Sequence, residues 1–444
     1  MYRLINIKGL LGVIAYFCLM TISYAESPDF PYSLTSITPC PVAISLGGAS
    51  ISNVHAPSAA IHNPASIVYI PHIQLTLSTY SAFHKETSTI DDDHFSVSGT
   101  QNVDEFHLAY VGINYPFQLL SKKMAAGISY YPKYSFKRSL SLMQKDEQEM
   151  TDQRLWNLSQ HGYMSAISVT YGIEIFPQLV AGINCNFWRD DLMDNQWDQD
   201  ISMNGYRQNG SVKFSEYRDK VISHEDKGIN FDFGLLWKIS PSLTAGAIVQ
   251  TRRSNDINTT IDEQYGFEDN YSQPIKTDPG SIDRLDHIQV PMTLGVGISY
   301  NIHDYCKLFM DFRQMYWEKF HYSIQDQSST VFMSGRSDDT QKKLRSHHLN
   351  IGTEYKLKPI IHSMDTFIRF GFSICTDRGA VLPEPDTVLG MGFGLNGQQL
   401  DVNVGYQYQR YAQQEQVIIN DGLLKSDVRN NVLQLSLTYR FDVE

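Results

Sequence analysis

The side chains best suited to chemistry in this sequence are its 14 histidines, which are scattered along the chain. They include the adjacent pair His347 and His348, and also His362. Hydrolysis of lipids or peptides needs a Ser/His or Asp/His constellation aimed at the substrate, and the sequence has neither G-x-S-x-G nor H-E-x-x-H. We therefore predict that the protein is not an enzyme, and that it has no catalytic residues and no cofactor.

Two further sets of residues could bind metals, and neither has convincing spacing. The Asp-Asp-Asp-His run at residues 91–94 could bind a divalent cation at a surface, but such a run is more often a solvated loop tip. Four cysteines follow the N-terminal region, and none forms a C-x-x-C pair. They are Cys40, Cys185, Cys306 and Cys375. We expect no metal site, and free cysteines that mostly pack against neighbours.

Composition limits the class of protein. The chain has 444 residues and a formal net charge of −12, which argues against nucleic acid as a partner. Its longest apolar run, residues 10–22, is shorter than the ~20 residues of a membrane-spanning helix. This run follows Arg3 and Lys8 and precedes Ser23-Tyr24-Ala25, which is typical of a secretory signal peptide over residues 1–25.

Apolar and polar residues alternate with a period of two in segment after segment. The clearest case is the last segment, where Leu433, Leu435 and Leu437 alternate with polar neighbours. This pattern predicts strands with one apolar and one wet face. About fourteen such segments occur, at residues 68–84, 103–116, 124–138, 162–175, 178–191, 227–239, 242–255, 287–302, 305–317, 345–357, 364–376, 386–396, 398–411 and 430–442.

The connections between these segments alternate between tight turns and long polar stretches. Short turns on one side and long loops on the other are typical of an outer-membrane β-barrel with an even number of strands and periplasmic termini. The sequence thus predicts an all-β fold, a 14-stranded antiparallel transmembrane barrel over residues 68–444, in the outer membrane of a Gram-negative-type bacterium. A soluble β-sandwich is the alternative, but it would not produce strands this long or loops this regular.

Charged residues alternate with apolar ones inside the predicted strands. A charge facing lipid at mid-membrane costs about 2–4 kcal/mol, so we expect these residues to face the lumen. They are Lys238, Arg252, Asp311, Arg313, Glu354, Arg369, Asp401, Arg410 and Arg440.

Residues 26–67 lie between the predicted signal peptide and the first strand, and they are rich in Pro, Ser, Ala and Gly. Small residues allow close backbone packing, which a plug inside a lumen would need. The alternative is a disordered linker, which the apolar residues of this segment make less favourable.

The run Leu46-Gly47-Gly48-Ala49, followed by the stretch from Ser58 to Asn63-Pro64-Ala65, resembles the N-terminal hatch of the outer-membrane long-chain fatty-acid transporter family, the FadL type. That family includes aromatic-hydrocarbon channels. The sequence from Leu382 to Gly394 is similar to a second family element. The resemblance covers the mature chain and implies a 14-stranded barrel plugged by residues 26–67.

The resemblance also implies passive uptake of hydrophobic compounds, most of all long-chain fatty acids, with lateral exit near the third strand. Pro132 lies in that strand and donates no ladder hydrogen bond, so it marks either a lateral opening or a harmless bulge. The expected hatch and gating residues are Gly47, Gly48, Asn63, Pro64 and Ala65. A fatty-acid carboxylate would need a cationic side chain in the lumen. Inward arginines could bind it, or they could serve in ion pairs within the lumen. The candidates are Arg313, Arg369, Arg410 and Arg440.

Two other functions stay open. FadL-like barrels also serve as binding or scaffold components in protein secretion or surface attachment, and a general diffusion porin is the third possibility. A continuous apolar pocket of lipid width favours transport, a sealed lumen favours the scaffold, and an ordered plug counts against the porin. We expect a monomer in contact with outer-membrane lipid and lipopolysaccharide, whose ligand is a hydrophobic small molecule or fatty acid.

Overall fold

The computed structural model describes residues 35–54, 56–91, 96–146, 151–189, 195–209, 211–271, 274–323, 330–331, 345–359, 364–376, 386–416 and 423–441. Fourteen antiparallel strands, six of them in two parts, make up most of this chain. Their bounds are β1 Ile73–Asp91, β2 Ser96–Leu119, β3 Lys122–Ser135 and Arg138–Asp146, β4 Thr151–Phe176, β5 Leu179–Arg189 and Gln196–Asn209, β6 Val212–Lys238, β7 Leu243–Gln250 and Arg253–Asp269, β8 Ile275–Val290 and Thr293–His303, β9 Cys306–Met315 and His321–Ser323, β10 Thr330–Val331 and Ser346–Leu357, β11 Asp365–Thr376, β12 Asp386–Asn396, β13 Leu400–Gln416 and β14 Leu423–Phe441.

Several predictions fall outside the described residues. They are the signal peptide, the first part of the plug at residues 26–34, residues 92–94 of the acidic run, His362, and residues 382–385 of the second family element.

Each strand pairs with the next one along the chain, and the last strand returns to the first. The seam between β1 and β14 runs from Ile73 opposite Phe441 to Ile90 opposite Leu424. The sheet is therefore a closed barrel, which confirms the predicted 14-stranded fold and excludes the β-sandwich.

The outer face of the barrel carries an apolar belt. In β14, Leu433, Leu435 and Leu437 are each at least 41% exposed, whereas Gln434 and Ser436 between them are buried on the inner face. The same division holds for the other strands, as the period-two pattern predicts. The belt is the surface that contacts lipid.

Among the residues that the structure describes, no helix is both long enough and apolar enough to cross a membrane.

The stretches predicted as long loops are mostly strand, because the hairpins continue past the apolar belt. The gaps between the predicted strands at residues 85–102, 139–161, 192–226, 256–286 and 412–429 correspond to such connections, yet most of their described residues belong to β1–β8, β13 and β14. We call the parts of these strands beyond the belt, on the side of the long connections, the extension. Its strands carry charged residues on both faces, which hides the alternation on which the prediction depended.

Two predicted lumen charges lie on the outer face instead, so these predictions are wrong. Strand β7 breaks at Thr251 and Arg252, and this irregularity turns Arg253 inward and leaves Arg252 exposed. A shift of one residue moves every later side chain to the opposite face. Arg410 has the outward parity of Tyr406 and Tyr408, and it lies beyond the belt.

The chain before β1 lies inside the barrel. We call residues 35–70, apart from residue 55, which is outside the described part, the inner segment. Its elements are the two-residue strand Thr35–Ser36, the helix α1 Pro41–Ser45 and two 3₁₀ helices, Pro57–Ile61 and Pro64–Tyr69. A further 3₁₀ turn follows the first part of β9, at Trp317–Lys319. Strand β1 starts at Ile73, so the predicted start at residue 68 falls in the second 3₁₀ helix.

Candidate functional site in the barrel lumen

The inner segment touches the barrel wall where the wall has glycine. A Cβ atom on Gly371 would overlap the backbone of Leu46 and Gly47, and one on Gly182 would overlap Pro64 and Ala65. Only glycine allows the segment to approach the strands this closely. These strand glycines are therefore contact points for the inner segment.

Gly47 and Gly48 end helix α1 in left-handed conformations, with φ of 64° and 90°. The Gly48 N–H donates to the Ala43 carbonyl at 2.8 Å and the Gly47 N–H donates to the Ile44 carbonyl at 3.1 Å. This is a Schellman motif, which glycine favours because it has no Cβ atom. The two predicted hatch glycines thus turn the chain sharply inside the lumen.

Asn63 links three parts of the lumen. Its Oδ1 accepts from the Ala65 N–H at 3.1 Å, which caps the second 3₁₀ helix. Its Nδ2 donates to the Ile51 carbonyl at 2.8 Å and to the Leu235 carbonyl of β6 at 3.0 Å. Pro64 stands at the first helical position, where no N–H is needed. These contacts explain the Asn-Pro-Ala sequence, while its role in gating stays a prediction.

Strand β9 holds the middle of the inner segment with two charged side chains. One carboxylate oxygen of Asp311 accepts from the backbone N–H groups of Ser50 at 2.6 Å and Ile51 at 2.8 Å. Arg313 donates to the Ser50 hydroxyl at 2.8 Å and to the Gly48 carbonyl at 3.3 Å. Asp311 is fully buried. This pair of residues therefore satisfies polar backbone groups that would otherwise be orphaned inside the lumen.

The other predicted ligand cations are also paired with acids. Arg369 donates to Glu354 at 2.6 Å and to Asn403 at 3.0 Å, and it is buried. Arg440 bonds to Asp401. Arg410 pairs with Asp427 on the outer face at 2.8 Å. Arg313 borders one cavity beside the inner segment, and Arg440 borders another of ≈ 370 Å³, next to Tyr69 and Ile70.

The cavity at Arg313, which we call the lumen cavity, has a volume of ≈ 190 Å³ and lies mainly between the inner segment and strands β9 to β13. Its lining is mixed, and the polar members include His62, Arg313, His348, Asn350, Cys375 and Gln409. Pockets for drug-sized ligands usually measure about 300–1,000 Å³ and are mostly apolar. The lumen cavity therefore has neither the size nor the continuous apolar walls that a long acyl chain needs.

Pro132 lies where β3 changes partners. The described pairing of β2 with β3 ends at Val111 opposite Tyr130. Beyond that point the register of β3 with β4 shifts between Pro132 and Tyr134, which is a bulge. Ser36 of the inner segment pairs with Tyr134 there. The pairing of β2 with β3 is thus interrupted beside Pro132, as expected for a strand that contains proline.

Inward side chains of the extension form layers that the sequence did not reveal. One layer is apolar, and each of its members is at most 9% exposed: Ile90, Leu140, Leu142, Trp156, Leu158, Ile201, Met203, Ile222, Ile261 and Leu424. The sequence signal for this layer was pairs of apolar residues two positions apart, such as Leu140 and Leu142 of β3 or Trp156 and Leu158 of β4. A second, aromatic layer reaches Ile61 of the inner segment; it includes Tyr131, Phe136, Trp188, Trp197 and Tyr322.

Buried charged and titratable groups accompany these layers. Arg138 donates to Glu86 at 2.6 Å, with both side chains about 1% exposed. Burial alone would raise the pKa of the Glu86 carboxyl, but the Arg138 guanidinium outweighs it and holds the pKa well below its usual range. His224 stacks on Trp197, and burial lowers its pKa to about 3, helped by the charge of Arg284. His224 is therefore neutral in the folded protein.

A protein-family model described as BamG matches residues 7–358 of this chain. The chain belongs to the BamG family. No curated protein sequence matches it. This BamG-family chain also resembles several solved structures at 12–13% identity, and the likeness concerns the fold.

A Pseudomonas aeruginosa FadL homologue superposes with a TM-score of 0.58, covering 93% of this chain and 100% of the other. The Pseudomonas putida toluene transporter TodX gives 0.54, with coverages of 93% and 100%. The Ralstonia pickettii toluene transporter TbuX gives 0.51, with 90% and 98%. The BamG-family chain thus has the FadL-type fold, as the hatch-like residues suggested, and it is an outer-membrane β-barrel protein.

Proposed function

We propose that the protein is a plugged outer-membrane barrel that acts as a binding or scaffold component, in protein secretion or in surface attachment. The observation that carries this proposal is the filling of the lumen. The inner segment occupies its middle, and the apolar and aromatic layers of the extension fill the space beneath β1 to β8. The lumen cavity beside the inner segment is small and of mixed polarity.

The fixed position of the inner segment supports the same proposal. It is held by side chains from different parts of the wall, Asp311 of β9 and Asn184 of β5, the latter donating to the Ala60 carbonyl at 2.9 Å. Such a plug counts against a general diffusion porin. A barrel filled in this way offers a rigid wall and a rigid extension to other proteins.

Hydrophobic uptake is the second candidate, and the bulge at Pro132 favours it. In this proposal long-chain fatty acids or similar compounds enter from outside and leave sideways into the membrane between β2 and β3, after the inner segment shifts. The shared fold with hydrocarbon transporters supports uptake, whereas the pairing of the four candidate arginines leaves none of them ready for a carboxylate.

One preparation tests both candidates. The protein is extracted gently from its own membrane, its complexes are measured by native mass spectrometry, and co-purifying lipids are identified in the same sample. The scaffold predicts a stoichiometric protein complex without a fatty acid. Uptake of labelled oleate into proteoliposomes, reduced by Pro132→Val, would overturn the scaffold proposal and support transport. If Pro132→Val leaves oleate uptake unchanged, the hypothesis of a lateral exit beside Pro132 is excluded.

A further inference from the structure

Three side chains, two of which line the lumen cavity, meet where β10 pairs with β11. His348 of β10 stands directly opposite Cys375 of β11, and its Nε2 lies 3.2 Å from the Cys375 Sγ. The Ser346 hydroxyl lies 3.1 Å from the same Nε2 and 3.2 Å from the same Sγ. A nucleophile, a base and a hydroxyl that orients them are thus mutually in hydrogen-bond reach.

The surroundings set this cysteine apart from the others. Cys375 and His348 both line the cavity of ≈ 190 Å³, whereas Cys40 packs among Val42, Ala43 and Leu46. The four described cysteines are free thiols. Cys375 is buried like Cys40, but its sulfur lies beside a base at the edge of the cavity.

We propose that Cys375 is a reactive thiol that exchanges with small disulfides entering the lumen cavity, with His348 as its base. The thiol proton moves to His348 Nε2, and the sulfur attacks one sulfur of the incoming disulfide. The S–S bond of that molecule breaks, a mixed disulfide with Cys375 forms, and the departing thiolate takes the proton from the imidazolium. A cysteine next to an imidazole reacts faster at neutral pH because more of it is thiolate.

The cavity limits the partner to a small molecule. A space of ≈ 190 Å³ is too small for a folded protein loop, so a low-molecular-weight disulfide is the class of substrate that fits. An exported protein meets such disulfides in oxidising surroundings. The proposal does not rest on the scaffold or uptake function, and it can fail or hold independently of both.

The test uses full-length protein in detergent micelles with 2,2′-dithiodipyridine as the probe. A variant that keeps Cys375 as its sole cysteine is compared with one that keeps only Cys306. Cys306 is the matched control, because its Sγ lies 3.9 Å from the Thr353 Oγ1 and has this hydroxyl as its neighbour. We expect the Cys375 variant to react at pH 7 at least about tenfold faster than the same variant with His348→Gln, a modest value for base catalysis. Intact-mass analysis should show one thiopyridine adduct.

Equal rates with and without His348, or a rate for Cys375 no higher than that for Cys306, would overturn the proposal. Heat-modifiable migration in gels shows whether His348→Gln still folds as a barrel. If it does not, Ser346→Ala serves as the second variant, and it should also slow the reaction and steepen its rise between about pH 6 and pH 9. A normal rate and profile in Ser346→Ala would then count against the triad.

Discussion

The guanidinium of Arg313 in β9 donates to the hydroxyl of Ser50 in the inner segment over 2.8 Å. This contact joins two parts of the chain that are 263 residues apart. Together with Asp311 two positions earlier, it forms a charged attachment of the inner segment to the wall.

Replacement of Asp311 by alanine should loosen the inner segment. It would leave the N–H groups of Ser50 and Ile51 buried without an acceptor, at about 1–3 kcal/mol each. We expect faster cleavage near residue 50 by added protease and a larger single-barrel conductance in planar bilayers. The control is Asp304→Ala, in an exposed turn. Unchanged conductance and cleavage would show that Asp311 does not hold the segment.

Replacement of Gly371 by valine should displace helix α1 from the wall. The new side chain would occupy the space of Leu46 and Gly47, and overpacking of this kind costs about 1–3 kcal/mol. Hydrogen exchange across residues 41–50 should rise. Gly127→Ala is the control, because its nearest neighbour is the Ile113 carbonyl of the adjacent strand. Equal exchange in both variants would contradict the close approach of α1 to Gly371.

Removal of one partner of the Arg138–Glu86 pair should destabilise the extension more than removal of both. Arg138→Met leaves a buried carboxylate without its cation, which typically costs about 3–5 kcal/mol. The double variant with Glu86→Gln should recover most of this loss. Hydrogen exchange of residues 138–146 measures the effect locally. A double variant as unstable as Arg138→Met would mean that the unpaired Glu86 carboxylate is not the cause of the loss.

Acid should weaken the extension, through His224 first. Its pKa is about 3 in the folded protein and near 6.5 when unfolded, so the unfolded chain binds the proton first as the pH falls. Stability should therefore decline from about pH 6.5 downward, and the lowered pKa of Glu86 adds to the loss below about pH 4.5. His224→Asn should flatten the decline between about pH 6.5 and 4.5 in local hydrogen exchange. A decline of wild-type slope in that variant would exclude His224 as its cause.

The sequence predicted the membrane part of the fold well, because lipid enforces a strict period of two there. Leu433, Leu435 and Leu437 must all face outward, so their spacing alone defines β14. The extension has water outside and a thin core inside. Only one or two apolar residues per strand are needed, as with Leu140 and Leu142, and these did not separate strand from loop.

Local irregularities were beyond prediction for a different reason. The break at Thr251 and Arg252 inverts the faces of β7, and nothing in those two side chains announces it. The triad of Ser346, His348 and Cys375 was likewise hidden, since its members sit on two strands and meet only through the register of β10 with β11. The hatch-like residues could be recognised, but their partners in the wall could not.

The seam between β1 and β14 has consequences for how the wall bears load. Its 18 consecutive residue pairs, from Ile73 to Ile90, span about 60 Å at ~3.3 Å per residue, twice the ~30 Å of membrane core. The join between β2 and β3 is described over nine pairs, ending at Tyr130. Under lateral tension from the bilayer, the barrel wall should therefore resist separation more at the join between β1 and β14 than at the join between β2 and β3, beside Pro132.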